Sequence, residues 1–207
     1  VNCQVTQKDL DSLKVRFDLY DDDGSGSLEI LEFLKVLDVE KTNYTDAVFA
    51  LVDSDGSGEI DFNEFVQVLT TYCIYSQVDI LQFAFSFFDK DGSGTLDERE
   101  VIDMCVAITP KPIFPGNIQN LFETFDVNDD GLIDFDEFQM IHKRYPMLFF
   151  PAFHLQDMLQ KKTLGAKRWT TILRNKARRE FVEDYKLTHD GALPPAEKHG
   201  CFKFLKS

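Results

Sequence analysis

Apolar residues recur at helical spacing on both sides of four short polar stretches, always in the same register. Phe17, Phe49, Phe85 and Phe122 each stand four residues before an aspartate, and Tyr20, Val52, Phe88 and Phe125 stand directly before it. Directly after the glutamate that closes each stretch come Phe33, Phe65, Val101 and Phe138. Spacings of three and four predict amphipathic helices, so each polar stretch should join an entering helix to an exiting one whose apolar faces meet. Residues 71–77 are too apolar for a solvated tether, so the two halves of this repeat are expected to touch. Residues 109–116, with Pro110, Pro112 and Pro115, are predicted to end one helix, and Asn117 to cap the next. Further on, residues 166–186 are predicted to form an amphipathic helix, preceded by Gly165 and ended by Asp190-Gly191 and Pro194-Pro195. Its stripe is Trp169, Ile172, Leu173, Ala177, Phe181, Val182 and Tyr185, with Lys167, Arg168, Arg174, Lys176, Arg178 and Arg179 around it. The apolar run 147–153 is too short to span a bilayer and is interrupted by Pro151.

The polar stretches are twelve-residue repeats, 21–32, 53–64, 89–100 and 126–137. The first position is Asp21, Asp53, Asp89 or Asp126, and the twelfth is Glu32, Glu64, Glu100 or Glu137. Oxygen side chains fill the third and fifth positions: Asp23 and Ser25, Asp55 and Ser57, Asp91 and Ser93, Asn128 and Asp130. The sixth is always glycine, where the chain must turn through a backbone conformation that strains a Cβ. The seventh, Ser27, Glu59, Thr95 or Leu132, varies freely, as a residue offering only its carbonyl can. The ninth is acidic: Glu29, Asp61, Asp97 or Asp134. Six to eight oxygens, several of them anionic, at about 2.3–2.6 Å are what Ca²⁺ takes, and a glutamate is long enough to reach back with both oxygens. The pattern resembles the EF-hand calcium loop in all four copies, which implies up to four bound Ca²⁺ ions. At the eighth position Leu28 should face Ile60, and Leu96 should face Ile133, each pair joining two loops in a short ribbon.

Loop starts fall 32, 36 and 37 residues apart. With the runs 60–65 and 83–85, this resembles the calcineurin B branch of the superfamily more than calmodulin. The branch implies a regulatory subunit that clasps a helix of a larger partner, although it lacks a long basic extension like this one. Only two methionines, Met104 and Met140, fall in the repeat region, against a preponderance of phenylalanine. A groove of stiff aromatic rings suits one fixed partner, or an internal one, better than many.

Charge divides the chain. Residues 1–140 hold 8 Lys and Arg against 30 Asp and Glu, a net −22, whereas residues 141–207 hold 14 against 6, a net +8. The acidic body argues against nucleic acid as a partner. Cys3, Cys73, Cys105 and Cys201 form no closely spaced pair, so reduced intracellular thiols are expected in place of a disulfide scaffold or zinc site. Cys201, among Lys198, His199, Lys203 and Lys206, is read as a free thiol, with acylation as the alternative. His142, His154, His189 and His199 are scattered, and no nucleophile elbow or nucleotide loop is present, so no enzyme is expected.

These readings predict an all-α fold: two paired EF-hand lobes, 1–77 and 78–144, plus a basic helical extension, 145–207. The expected function is a cytoplasmic calcium sensor that grips a helical segment, either of a protein partner or of its own extension. The alternative is a permanently loaded structural subunit of a cytoskeletal or ciliary assembly; a simple buffer would need no partner surface. Trp169, Leu173 and Phe181 are the expected apolar anchors of the extension, with Arg178 and Arg179 steering it. Ordinary packing of this helix, or contact with an acidic membrane or filament, are the competing readings.

Overall fold

A computed structural model describes residues 5–108 and 118–194. The 109–117 loop with its Asn117 cap, Cys3, and the tail from Pro195 with Cys201 lie outside the described residues. Helix α1, Gln7–Tyr20, opens on a capping box: Thr6 Oγ1 accepts from Asp9 N at 3.3 Å and Asp9 Oδ2 accepts from Thr6 N at 2.8 Å. Thr42 with Thr45 and Ser76 with Asp79 open α3, Asn43–Val52, and α5, Gln77–Phe88, in the same way. Strand β1, Leu28–Glu29, leads into α2, Ile30–Leu37; strand β2, Glu59–Ile60, leads into α4, Phe62–Tyr72. The second half repeats this order with α6, Glu98–Ile108, α7, Ile118–Phe125, and α8, Phe135–Arg144.

Leu28 pairs with Ile60 in the antiparallel β1–β2 ribbon, and Leu96 with Ile133 through reciprocal backbone bonds of 2.8 and 2.9 Å. The fold is therefore the expected all-α arrangement of paired helix–loop–helix units. The repeated aromatics meet edge to face, the arrangement that their quadrupoles favour. Phe17 lies 5.4 Å from Phe65 and 5.5 Å from Phe62; Phe85 lies 5.2 Å from Phe138. The halves touch directly, Tyr44 packing on Phe83 and Phe87, and Tyr72 on Phe83.

A 3-10 turn, Pro146–Phe149, leads into α9, Phe150–Lys162, an element that the hydrophobic pattern did not reveal. Pro151 does not interrupt it, because it stands in the first turn, where a missing N–H leaves no hydrogen bond unmade. Helix α9 packs against α2, α3, α4 and α5, burying Ala152, Leu155 and Leu159 between the two halves. Its polar residues close the end of α4: Gln156 Nε2 donates to the carbonyls of Tyr72 (2.8 Å) and Tyr75 (2.9 Å), and Gln160 Nε2 to that of Cys73 (2.8 Å). The Tyr72 carbonyl also accepts from Tyr75 N at 3.3 Å, so α9 reinforces the turn that ends α4. Tyr72 Oη donates to Ala152 O at 3.1 Å and so accepts from Tyr44 Oη at 2.6 Å. A turn through Gly165 (φ 85°) starts α10, Ala166–Thr188, two residues longer than expected. Among the described residues, no helix is long and apolar enough to cross a membrane.

Candidate metal centres

Each loop is folded around its own carboxylates. In the first, Asp21 Oδ1 accepts from Ser25 N at 2.9 Å and Oδ2 from Gly26 N at 2.8 Å. Asp53 and Asp89 hold Ser57, Gly58, Ser93 and Gly94 in the same manner, and Asp126 holds Asp130 and Gly131. These bonds require the positive φ of 79–90° that Gly26, Gly58, Gly94 and Gly131 adopt. The closing glutamate ties both ends of its loop. Glu100 accepts from Lys90 N at 2.7 Å and from Asp97 N at 3.0 Å, and Glu137 from Val127 N at 2.8 Å and Asp134 N at 2.9 Å. Glu32 and Glu64 make the corresponding pairs. Ninth-position Asp61, Asp97 and Asp134 accept from the amide of the closing glutamate, capping the exiting helix.

Carboxylate oxygens of Asp21, Asp23 and Glu32 lie within 4.8 Å of one another, as do those of Asp53, Asp55 and Glu64 and those of Asp89, Asp91 and Glu100. Oxygens sharing one Ca²⁺ at about 2.3–2.6 Å can be at most about 5 Å apart, so each group fits a single ion. The donor set, all oxygen with several anions, is the hard-ligand chemistry of calcium. The Gly26 amide holds Asp21 below the usual carboxylate range, and hydrogen bonding from Ser57 and Ser93 does the same for Asp55 and Asp91. The fourth loop keeps the bond from its fifth-position amide to the third position and adds one that the others lack a donor for. Asn128 Oδ1 accepts from Asp130 N at 3.0 Å while its Nδ2 donates to Asp130 Oδ2 at 2.9 Å.

The extension docks through Trp169, one of the expected anchors, and through Ile172, Arg168 and Lys162, which the sequence did not single out as anchors. Trp169 is fully buried with Ile172, and its Nε1 donates to Thr163 Oγ1 at 3.1 Å. Arg168 clamps Asp9 of α1 in a fork, Nε to Oδ1 at 2.8 Å and Nη2 to Oδ2 at 2.6 Å, and this holds the buried Asp9 carboxyl well below its ordinary range. Tyr20 Oη donates to Lys162 O at 2.6 Å. Leu173 and Phe181 are half-buried, Arg178 is exposed and Arg179 half-buried. The spacing of Ala152, Leu155 and Leu159 was the available signal for α9; Asp9, read alone, is an ordinary first-turn acid.

Among the described residues the histidines stay apart: His142 packs on Phe149 and Phe153, His154 on Phe150, and His189 on Tyr185. Burial pushes the Cys73 thiol well up and that of Cys105 to about 11.

A family model described as an EF-hand domain pair matches residues 10–70 and 79–141. A solved structure of a redox protein from Chlamydomonas reinhardtii is similar over 78% of this chain and 56% of that one, at 20% identity and a TM-score of 0.34. This chain thus spans about half of that protein's length, and the likeness is too loose to bear on function. No curated protein matches.

Proposed function

This chain belongs to the EF-hand family, and we propose that it is a calcium-binding regulatory subunit of the calcineurin B type, whose lobes grip a helical segment. Up to four Ca²⁺ ions would be held by Asp21, Asp23, Ser25 and Glu32, by Asp53, Asp55, Ser57 and Glu64, by Asp89, Asp91, Ser93 and Glu100, and by Asp126, Asn128, Asp130 and Glu137. The seventh-position carbonyls of Ser27, Glu59, Thr95 and Leu132 complete the sets, with Glu29, Asp61, Asp97 and Asp134 acting through water. The bound ion supplies charge neutralisation and a rigid point to which the two ends of each loop are drawn.

One observation carries the reading: α9 lies against α2, α3, α4 and α5, and each of these helices begins or ends at loop one, two or three. A change of interhelical angle at those loops therefore moves the walls that hold α9. In this reading α9 occupies the partner groove from within, and a helix of an external protein competes with it. A permanently loaded structural subunit shares the loops but needs no change of grip. The test is a calcium titration of the full chain by calorimetry and by far-ultraviolet and tryptophan signals. Sensor behaviour requires dissociation constants of about 10⁻⁷–10⁻⁵ M and faster hydrogen exchange in α9 on loading. Two or fewer ions bound, or α9 exchange unchanged by calcium, would overturn it.

A further inference from the structure

The two lobes join their loops differently, and the difference lies at the seventh position. The first lobe carries Ser27 and Glu59 there, the second Thr95 and Leu132. In the β1–β2 register Glu59 stands opposite Glu29, and like charges across a strand pair repel. The Glu59 carboxylate reaches diagonally and accepts a hydrogen bond from Ser27 Oγ. Ser27 is tied in turn to the first site, since Ser25 Oγ lies 3.1 Å from Ser27 O, 3.3 Å from Ser27 Oγ and 3.4 Å from Asp21 Oδ1. On the other side, Ser57 Oγ donates to Glu59 O at 3.1 Å and lies 3.4 Å from Asp53 Oδ1. Contacts thus lead from Asp21 through Ser25 and Ser27 to the Glu59 carboxylate, and the backbone carbonyl of Glu59 accepts from Ser57 of the second loop. In the second lobe Thr95 Oγ1 meets Ser93 Oγ at 3.3 Å. Leu132 has no side-chain acceptor to extend across, which leaves the Leu96–Ile133 backbone pair as the connection.

We propose that Glu59, through its bond to Ser27, is the residue that couples filling of the first two sites beyond what the ribbon alone transmits. The inference rests on the calcium-binding reading above. Ser27 and Glu59 present the seventh-position carbonyls of their loops, and their side chains bind those two segments together. An ion that orders one carbonyl therefore lowers the ordering cost of the other. Hydrogen bonds to an ionised acceptor are the stronger kind, and coupling between sites commonly amounts to about 5–150-fold. The Glu59 charge also favours calcium at both sites, but as a uniform, salt-screened gain that does not couple them.

The test is a nuclear magnetic resonance calcium titration of the intact chain, read at the Gly26 and Gly58 amides. Their N–H groups donate to Asp21 and Asp53 at 2.8 and 2.9 Å, so each reports its own site. Ser27→Ala keeps both carbonyls and the Glu59 charge while removing the bond. A tenfold loss of coupling, from about 50 to about 5, raises the singly loaded fraction of the first lobe at half saturation from about one eighth to nearly one third. Ser27→Thr, which keeps the hydroxyl and is the residue of loop three at this position, should match the parent. Glu59→Gln should lower both affinities more at low salt than at high. Equal singly loaded fractions in parent and Ser27→Ala, or equal losses in Ser27→Ala and Ser27→Thr, would overturn the coupling alone. A parent that binds no calcium would overturn the functional reading, and the coupling with it.

Discussion

Truncating Trp169 to alanine probes the corner where the basic helix meets the body. Trp169 is 0% exposed and is the largest fully buried side chain of the described residues. Removing a buried aromatic ring of this size costs about 3–5 kcal/mol. The bond from Nε1 to Thr163 Oγ1 accounts for roughly 1 kcal/mol of that. Thr163 Oγ1 keeps its own bond to Leu159 O at 2.6 Å, so truncation orphans no buried donor. Set against a domain stability of about 5–15 kcal/mol, the loss is a large fraction of the total. Trp169→Phe keeps most of the apolar contact and should cost about 1–2 kcal/mol. Urea unfolding followed by far-ultraviolet circular dichroism suits both variants, because the only tryptophan is gone. At a slope near 2 kcal/mol/M, the alanine variant should lose about 1.5–2.5 M in midpoint. Hydrogen exchange should rise most at residues 163–175 and least at the Leu28–Ile60 and Leu96–Ile133 pairs. A midpoint within about 0.3 M of the parent, or equal losses for the phenylalanine and alanine variants, would refute the burial argument. So would a parent whose tryptophan emission is solvent-like with and without calcium.

Asp9→Asn should cost about 1–3 kcal/mol at neutral pH by breaking the Arg168 fork. The folded-state pKa of Asp9 is depressed, so the contribution is fully present above the unfolded value near 3.9 and fades as pH falls below it. Thermal melts should show a parent–variant gap that holds from pH 7 to about pH 5 and shrinks toward pH 3, and a gap that stays constant to pH 3 would argue against the ion pair. Glu100→Gln retains one of the two loop bonds to Lys90 N and Asp97 N and loses a bidentate anion. Calcium binding at the third site should weaken strongly and at the fourth through the Leu96–Ile133 bridge, whereas equal loss in all four would contradict the pairing of loops. His142 has a buried Nδ1 without a partner, and burial lowers its pKa from the ordinary 6.5. The unfolded chain therefore takes up its proton first, and stability should fall as pH drops below about 6.5. In calcium-free buffer His142→Gln should flatten the slope of melting temperature between pH 7 and pH 5.5; an unchanged slope would place that dependence elsewhere.

The calcium loops, the pairing of Leu28 with Ile60 and of Leu96 with Ile133, and the start of α10 were all legible along the chain. The reason is locality. The side chains that converge on one candidate site fall within twelve residues, the ribbon partners are set by position eight of each repeat, and α10 carries one stripe at helical spacing. The local signal for α9 was blurred: Ala152, Leu155 and Leu159 share a face, but Phe150, Phe153 and Met158 spread apolar character around the helix and obscure the period. Its role depends on partners far away in sequence: Gln156 caps Tyr72 across 84 residues, and Tyr72 reaches Ala152 across 80. Asp9, a first-turn acid, closes the capping box with Thr6, yet its second partner, Arg168, stands 159 residues on. Glu59 was predicted only as a backbone carbonyl, since position seven tolerates any side chain. That its carboxylate meets Ser27 follows from the twist and register of two loops brought together, and long-range pairing of that kind is decided by the tertiary fold alone.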